Sequence, residues 1–215
     1  MKTTIIIVTL LFSATLFAQG YKPKSKENGN AKDKDAEIDM QRSTTRIFID
    51  KALTTRVNKD WSVIAEFKSG IGETAQFFPV QIEDLKTHEK TSALEVDMEI
   101  KAPTGIPLVG SIRTSLTAWV GLDEIDEFIR FIEDNIIPNI KLKYKDKSSE
   151  FTFKAKELTL IFLIDEKRRR LTIRLNNYEP EGLIKSYDFW TETKVDNFPE
   201  VLEILKKVKS KELKF

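Results

Sequence analysis

Two clusters of charged side chains in this chain have the types and spacing to do chemistry. The first is acidic: Asp123, Glu124, Asp126 and Glu127 fall within one short run. Steps of three and four bring side chains to one side of a helix, so Asp123 can share a face with Asp126 or Glu127. Carboxylates grouped in this way can coordinate a hard cation such as calcium, or divide the acid and nucleophile roles of glycoside hydrolysis. The competing reading is structural, because acids in a first helical turn cap unpaired N–H groups and oppose the helix dipole. The second cluster is basic: Lys167, Arg168, Arg169 and Arg170, with Arg174 further on. At a hairpin tip these residues can contact phosphate, a sulfated glycan or a lipid headgroup. Strand alternation would put Arg168, Arg170 and Arg174 on one side. Its structural alternative is a solvated turn whose charge protects a strand edge from aggregation.

Other chemistries are removed by composition. The chain has 0 cysteine and 1 histidine. Thiol nucleophiles, thiolate metal sites, disulfides and redox pairs are therefore excluded, as is the lipid-modified cysteine of a bacterial lipoprotein. A single histidine excludes paired-histidine metal sites. A serine triad would have to use His88, which lies in the polar run Lys86-Thr87-His88-Glu89-Lys90 with no Gly-x-Ser-x-Gly elbow to partner it. No glycine-rich phosphate loop occurs among the 8 glycines. No cofactor and no metal is called for. Tyr144, Tyr178, Tyr187 and Trp190 could supply the aromatic platforms of a glycosidase cleft, if the fold brings them together.

These residues need elements to position them. The opening of the chain is not one of those elements. Lys2, the apolar run Ile5 to Phe12, and the small residues Ala14 and Ala18 have the layout of a secretory signal peptide cut beside Ala18, so residues 1–19 read as a leader. The run is shorter than the about 20 residues that span a bilayer, and no later stretch approaches that length. Residues 20–44 are a charged, apolar-poor spacer that reads as a disordered tether. Within it Asp33, Asp35, Glu37 and Asp39 alternate, but the glycine and closing glutamate of a calcium loop are missing, so this is a solvated charge run. The remaining residues 45–215 form one domain with halves at 45–138 and 139–215. Of 35 basic residues Lys2 leaves with the leader, so 34 face 34 acids and long-range attraction to nucleic acid is not expected.

From Thr45 the pattern is mostly period two. Trp61 to Phe67, Phe77 to Leu85, Ala93 to Lys101 and Ile112 to Val120 are expected strands. Leu94, Val96, Met98 and Ile100 alternate with Glu95, Asp97, Glu99 and Lys101, which predicts one buried and one wet face. The period then changes: Ile125, Phe128, Ile129, Ile132 and Ile136 form a helical stripe, with Asp123 placed to cap it and Pro138 to stop it. The second half repeats the plan. Short strands are expected at Lys141 to Tyr144 and Ser149 to Lys154. A hairpin follows, with Leu158 to Ile164 and Arg169 to Leu175 around Asp165-Glu166-Lys167-Arg168, and then a strand at Leu183 to Trp190. A final helix is capped by Asn197 and has the stripe Phe198, Val201, Leu202, Leu205 and Val208. Trp119 and Trp190 end the strands that precede the two helices and are expected to anchor the helix–sheet core. The fold class is α+β: a largely antiparallel sheet with two amphipathic helices packed on it, in two successive strands-then-helix units. Internal duplication and two independent solutions to covering a sheet both account for that repetition.

The segment from Trp119 to Ile132, WVGLDEIDEFIRFI, resembles a feature of uncharacterised exported bacterial proteins, in which a strand runs into an acidic helix start after an upstream hairpin such as Val80 to Ile100. The resemblance implies an exported compartment and this fold class, and carries no functional residues. The expected function is an exported, non-catalytic binding or interaction module, periplasmic or extracellular, whose partner is an envelope protein or glycan. A carboxylate-dependent hydrolase of envelope or imported polysaccharide is the alternative.

Overall fold

The computed structural model describes residues 42–103, 111–176, 186–193 and 195–213. The leader, the spacer up to residue 41, Tyr178 and the expected start of the last strand at Leu183 lie outside the described residues.

The first element is a helix. Helix α1 spans Thr44–Lys51, where period-two order was expected. Ser43 fixes its start, its Oγ accepting from Arg46 N at 3.0 Å. The difference has a physical cause: Ile47, Phe48 and Ile49 form a short continuous apolar run, which does not distinguish period 2 from period 3.6.

Five strands follow: β1 (Thr55–Lys59), β2 (Ala65–Lys68), β3 (Thr74–Asp84), β4 (Lys90–Pro103) and β5 (Ser111–Val120). They form one antiparallel sheet in the order β1-β3-β4-β5, with β2 also on β3. The C-terminal half of β3 pairs with β1 and its N-terminal half with β2, so the two short strands share one flank of the long one. The strand expected at Trp61 to Phe67 therefore begins only at Ala65. Asp60 Oδ1 accepts from Ser62 N at 2.9 Å, and this local turn breaks the ladder at Trp61.

Helix α2 (Leu122–Arg130) continues into a π-helical stretch at Phe131–Ile136. Its N-cap is Gly121, so Asp123 belongs to the first turn and is not the cap. The glycine is required by space: a Cβ here would strike Thr44 Oγ1 and Asp123 Oδ1, where α1 meets the start of α2. No strand forms at Lys141 to Tyr144, because Leu142 N turns back to Asn139 O and Tyr144 Oη donates to Asn139 Oδ1 at 2.8 Å.

A second antiparallel sheet is the meander β6 (Ser149–Lys154), β7 (Leu158–Ile164), β8 (Arg169–Asn176) and β9 (Ser186–Thr191). Helix α3 (Phe198–Ser210) ends the chain. Asn197 occupies its N-cap position without capping it; the Nδ2 group donates instead to Glu66 O of β2 at 2.7 Å. The architecture is thus α+β, with nine strands in two antiparallel sheets and three helices among the described residues, where a single sheet with two helices was expected.

One core joins the two halves. The inward residues of β4 (Leu94, Val96, Met98, Ile100) belong to the same buried cluster as Phe162, Ile173 and Phe189 of the second sheet and the stripes of α2 and α3. Phe198 bridges them, its ring 5.7 Å from Phe67 of the first sheet and 5.4 Å from Phe162 of the second. Burying a side chain of this size contributes about 2–3 kcal/mol. A smaller cluster lies on the opposite face of the first sheet: Phe78, Val80, Ile82, Ala93 and Trp119, with Phe48 and Ile49 of α1 against them. Trp119 therefore anchors α1, not the helix that follows it in sequence.

Glu157, in the turn between β6 and β7, ties these parts together. It is fully buried. Its Oε1 accepts from Ser43 N (3.1 Å), Ser43 Oγ (2.8 Å) and Arg46 Nε (3.4 Å), and its Oε2 from Arg46 Nη2 (3.0 Å) and Trp119 N (3.1 Å). Replacing Glu157 with alanine strands the Arg46 charge and three further donors, and is expected to cost about 3–5 kcal/mol in urea unfolding. A loss below about 1 kcal/mol would show that water serves those donors equally well.

Candidate functional site

The acidic cluster is dispersed among separate structural contacts. Asp123 accepts from Thr44 Oγ1 at 2.6 Å and from Lys156 Nζ at 3.0 Å. Burial opposes its ionisation, but those two donors outweigh burial and hold the carboxyl below its ordinary range. Glu124 Oε1 accepts from Lys156 N at 2.7 Å, and burial pushes its carboxyl up. Asp126 pairs with Lys209 of α3 at 2.7 Å, which lowers it. Glu127 pairs with Arg130 at 3.2 Å on an exposed surface. Among the described residues no three histidines or acids converge as metal ligands.

The basic run is dispersed as well. Lys167 N and Arg168 N both donate to Asp165 Oδ1, at 2.8 and 2.7 Å, and close the β7–β8 turn. Arg168 Nε pairs with Asp165 Oδ2 at 3.1 Å. Arg169 turns away to donate to Ile140 O at 2.7 Å. An open depression of about 320 Å³ lies at this tip, lined by Asp146, Lys147, Asp165, Glu166, Lys167 and Arg168. Its three acids match its three bases, so it presents no net charge to an anion.

Only Arg170 and Arg174 of the run share the outer face of β8, and they lead to a feature that sequence reasoning placed inside the molecule. Trp190 is 51% exposed on the neighbouring strand β9. The Arg170 guanidinium lies over its ring at 4.9 Å and is held by Glu192 at 2.8 Å. Arg174 grips both Asp188 oxygens, at 2.6 and 2.7 Å. That pairing raises Arg174 and lowers Asp188. Register sets Trp190 beside Thr172, and Thr172 beside Ile161 of β7, which is half-buried like Leu163. Tyr144 packs against the inner core and does not join this face.

A second feature also went unread. Glu95, Asp97, Glu99 and Lys101 were expected to face water; Glu99 is exposed and Asp97 half-buried, but α1 and the turn at Trp61 close over Glu95. Glu95 is only 4% exposed. Lys59 Nζ reaches both carboxylates, 2.8 Å from Glu95 Oε1 and 2.8 Å from Asp97 Oδ2, and lies over the Phe78 ring at 5.1 Å. Thr117 Oγ1 donates to Asp97 Oδ1 at 2.7 Å. Glu95 Oε2 is buried without a partner. Burial, aided by the charge of Asp97 and opposed by Lys59, pushes the Glu95 carboxyl from 4.5 up to about 7. For Lys59 burial pulls downward, but the hydrogen bonds to Asp97 and Glu95 prevail and raise it. The sequence signal was the strand alternation itself; only the cover was illegible.

Comparison with protein-family models, with curated proteins and with solved structures finds no match to this chain. What the fold and its surfaces define is a class: a two-sheet α+β protein with an open, tryptophan-bearing sheet face.

Glu95 sets a pH dependence of stability. Its folded-state pKa of about 7 stands above the ordinary 4.5, so the folded state holds the proton more tightly. Its contribution is full below 4.5 and is lost as pH rises through about 7, a fall of at most about 3 kcal/mol. Asp123, Asp126 and Asp188 act in the opposite sense at more acid pH, so the readout is a difference. Subtracting the profile of Glu95→Gln from that of the native chain should isolate a downward slope between pH 4.5 and 7. Parallel profiles would mean that Glu95 titrates as it does in the unfolded chain.

Proposed function

We propose that this chain is an exported, non-catalytic interaction module that receives another protein on the outer face of the second sheet, centred on Trp190. The single observation that carries the reading is Trp190 itself: a large aromatic side chain exposed on an open strand, stacked by an arginine that is already fixed by an acid. Tryptophan and arginine are the residues most enriched in the energetic centres of protein interfaces. Arg170 and Arg174 are held in place before a partner arrives, which lowers the entropy lost on binding. Ile161 and Leu163 extend the surface with apolar area. Because Arg170 and Arg174 face Glu192 and Asp188, contact is local and is not driven by net charge. The leader-like N-terminus supports a periplasmic or extracellular setting.

Capture from a cell-envelope extract by immobilised protein, followed by titration of the purified partner, tests this. Trp190→Ala should weaken binding by at least about 2 kcal/mol, roughly thirtyfold, with the melting transition unchanged. Binding unaffected by both Trp190→Ala and Arg170→Ala, or recovery of the full-length chain with its leader from the cytosol, would sink the proposal. A glycan in place of a protein would change the partner class.

A carboxylate-dependent hydrolase is the second reading, and one observation favours it. Glu95, protonated near neutrality beside Asp97, has the pairing of an acid with a carboxylate that glycoside hydrolysis uses. Its burial means that the cover formed by α1 and Trp61 would have to open for substrate. Asp97→Asn should then abolish turnover of envelope polysaccharide by the folded protein, whereas no turnover by the native chain would remove this reading.

A further inference from the structure

We propose that strand β1 pairs antiparallel with β1 of a second copy of this chain, about a two-fold axis through Val57, and joins two first sheets into one. The backbone supplies the first argument. Leu85 N donates to Thr54 O, and Asp60 N to Pro79 O. In an antiparallel ladder the residues that bond inward alternate with those that bond outward. With the β1–β3 register, Arg56 and Asn58 therefore point their N–H and C=O groups at β3, while Thr55, Val57 and Lys59 point theirs away from it. Among the described residues no strand pairs with that outer side. Helix α1 packs against β4 and β5 and over the face of the sheet, so it does not pair with this edge as a strand would.

The side chains supply the second argument. Leu53, Val57 and Trp61 are all exposed, at 83%, 39% and 64%. They are evenly spaced about Val57. In a two-fold pairing centred there, Val57 meets its own copy, Thr55 faces Lys59, Arg56 faces Asn58, and Leu53 comes to the end of the partner strand that carries Trp61. No like charges stand directly opposite. Such self-complementarity is what an isologous interface needs. Lysine and arginine on an edge strand ordinarily discourage pairing. Here they do not act in that way, because Arg56 is paired with Glu83 and Lys59 with Glu95 and Asp97. Leu85, 43% exposed beside Thr54, adds apolar area at the same rim.

The full chain is measured by sedimentation equilibrium over a wide concentration range. A dimer is expected. Val57→Pro removes an outward N–H that β3 does not use, and Val57→Lys sets two ammonium groups face to face; both should leave a monomer with unchanged circular dichroism. The chain has 0 cysteine, so a single introduced thiol reports only on contacts between copies. Directly paired residues of this kind have Cα atoms about 5.5 Å apart, within disulfide reach. Val57→Cys should oxidise to a covalent dimer while Glu203→Cys, at an exposed position of α3, should not. A native chain that stays monomeric, a dimer that survives both Val57 substitutions, or equal crosslinking at Glu203 would overturn the proposal. A monomer would leave the edge to an extended segment of a foreign protein. Because Trp190 lies on the other sheet, loss of partner binding in Trp190→Ala leaves this outcome untouched.

Discussion

The buried carboxylate of Glu157 is the constraint from which the rest of the structure follows. A charge taken out of water costs several kcal/mol unless donors surround it. Here the donors come from two separate elements, Ser43 and Arg46 at the start of α1 and the backbone of β5 at Trp119. None of these donors can be supplied unless α1, the first sheet and the β6–β7 turn are in mutual register. The Trp119 N–H belongs to β5, at the edge of the first sheet, so the same carboxylate closes an edge group that would otherwise be open.

Fixing α1 has consequences on the sheet beneath it. With Phe48 and Ile49 over Phe78, Ala93 and Trp119, the polar face of β4 is covered at Glu95, although Glu99 on the same face stays exposed. Glu95 then lies in a medium where its ionised form is disfavoured, and Lys59, reaching across from β1, compensates only in part. Gly121 shows the same coupling from the other side, because the short approach of Thr44 to the start of α2 leaves no room for a side chain. Helix placement, a proton and a glycine are thus linked through one buried ion.

How far the sequence could be read depends on whether a residue's environment is local. The limits of β6 and β7 are as expected, because period-two alternation and a turn of polar residues act within a few positions. The stripe of α2 is equally local. Helix α1 is not legible in sequence because eight residues carry too little periodicity, and it is held by Glu157, more than a hundred residues away, and by Phe48 and Ile49 against the sheet. Trp61 reads as part of a strand because its apolar neighbours outweigh, in sequence, the turn made by Asp60 and Ser62. Trp119 and Trp190 occupy matching places before a helix, yet one is 7% and the other 51% exposed. Parity along each strand decides that difference, and parity relative to a core is a property of the assembled sheets. The charged clusters illustrate the same limit: adjacent in sequence, Arg168, Arg169 and Arg170 separate into a turn, an inward bond to Ile140 and an outer face.

The kind of function left to this protein follows from where its reactive and its recognition groups reside. With 0 cysteine and 1 histidine, carboxylates are the most numerous groups left for acid–base work near neutral pH. The carboxylate most strongly tuned for it, Glu95, is covered, and the single histidine, His88, is an exposed turn residue 3.3 Å from Glu83. A catalytic group must reach its substrate, so the tuning of Glu95 is in the first place a cost of folding under α1. The exposed groups differ in kind: Trp61, Trp190, Val57 and Leu53 are apolar surfaces that the core did not use, and the nearby charges of Lys59, Arg170 and Arg174 are already neutralised by neighbours. Apolar area flanked by charges already held in place is the kind of surface that association buries at low cost in side-chain entropy. The two surfaces lie on different sheets, so the proposed pairing edge and the proposed partner face do not compete for the same residues.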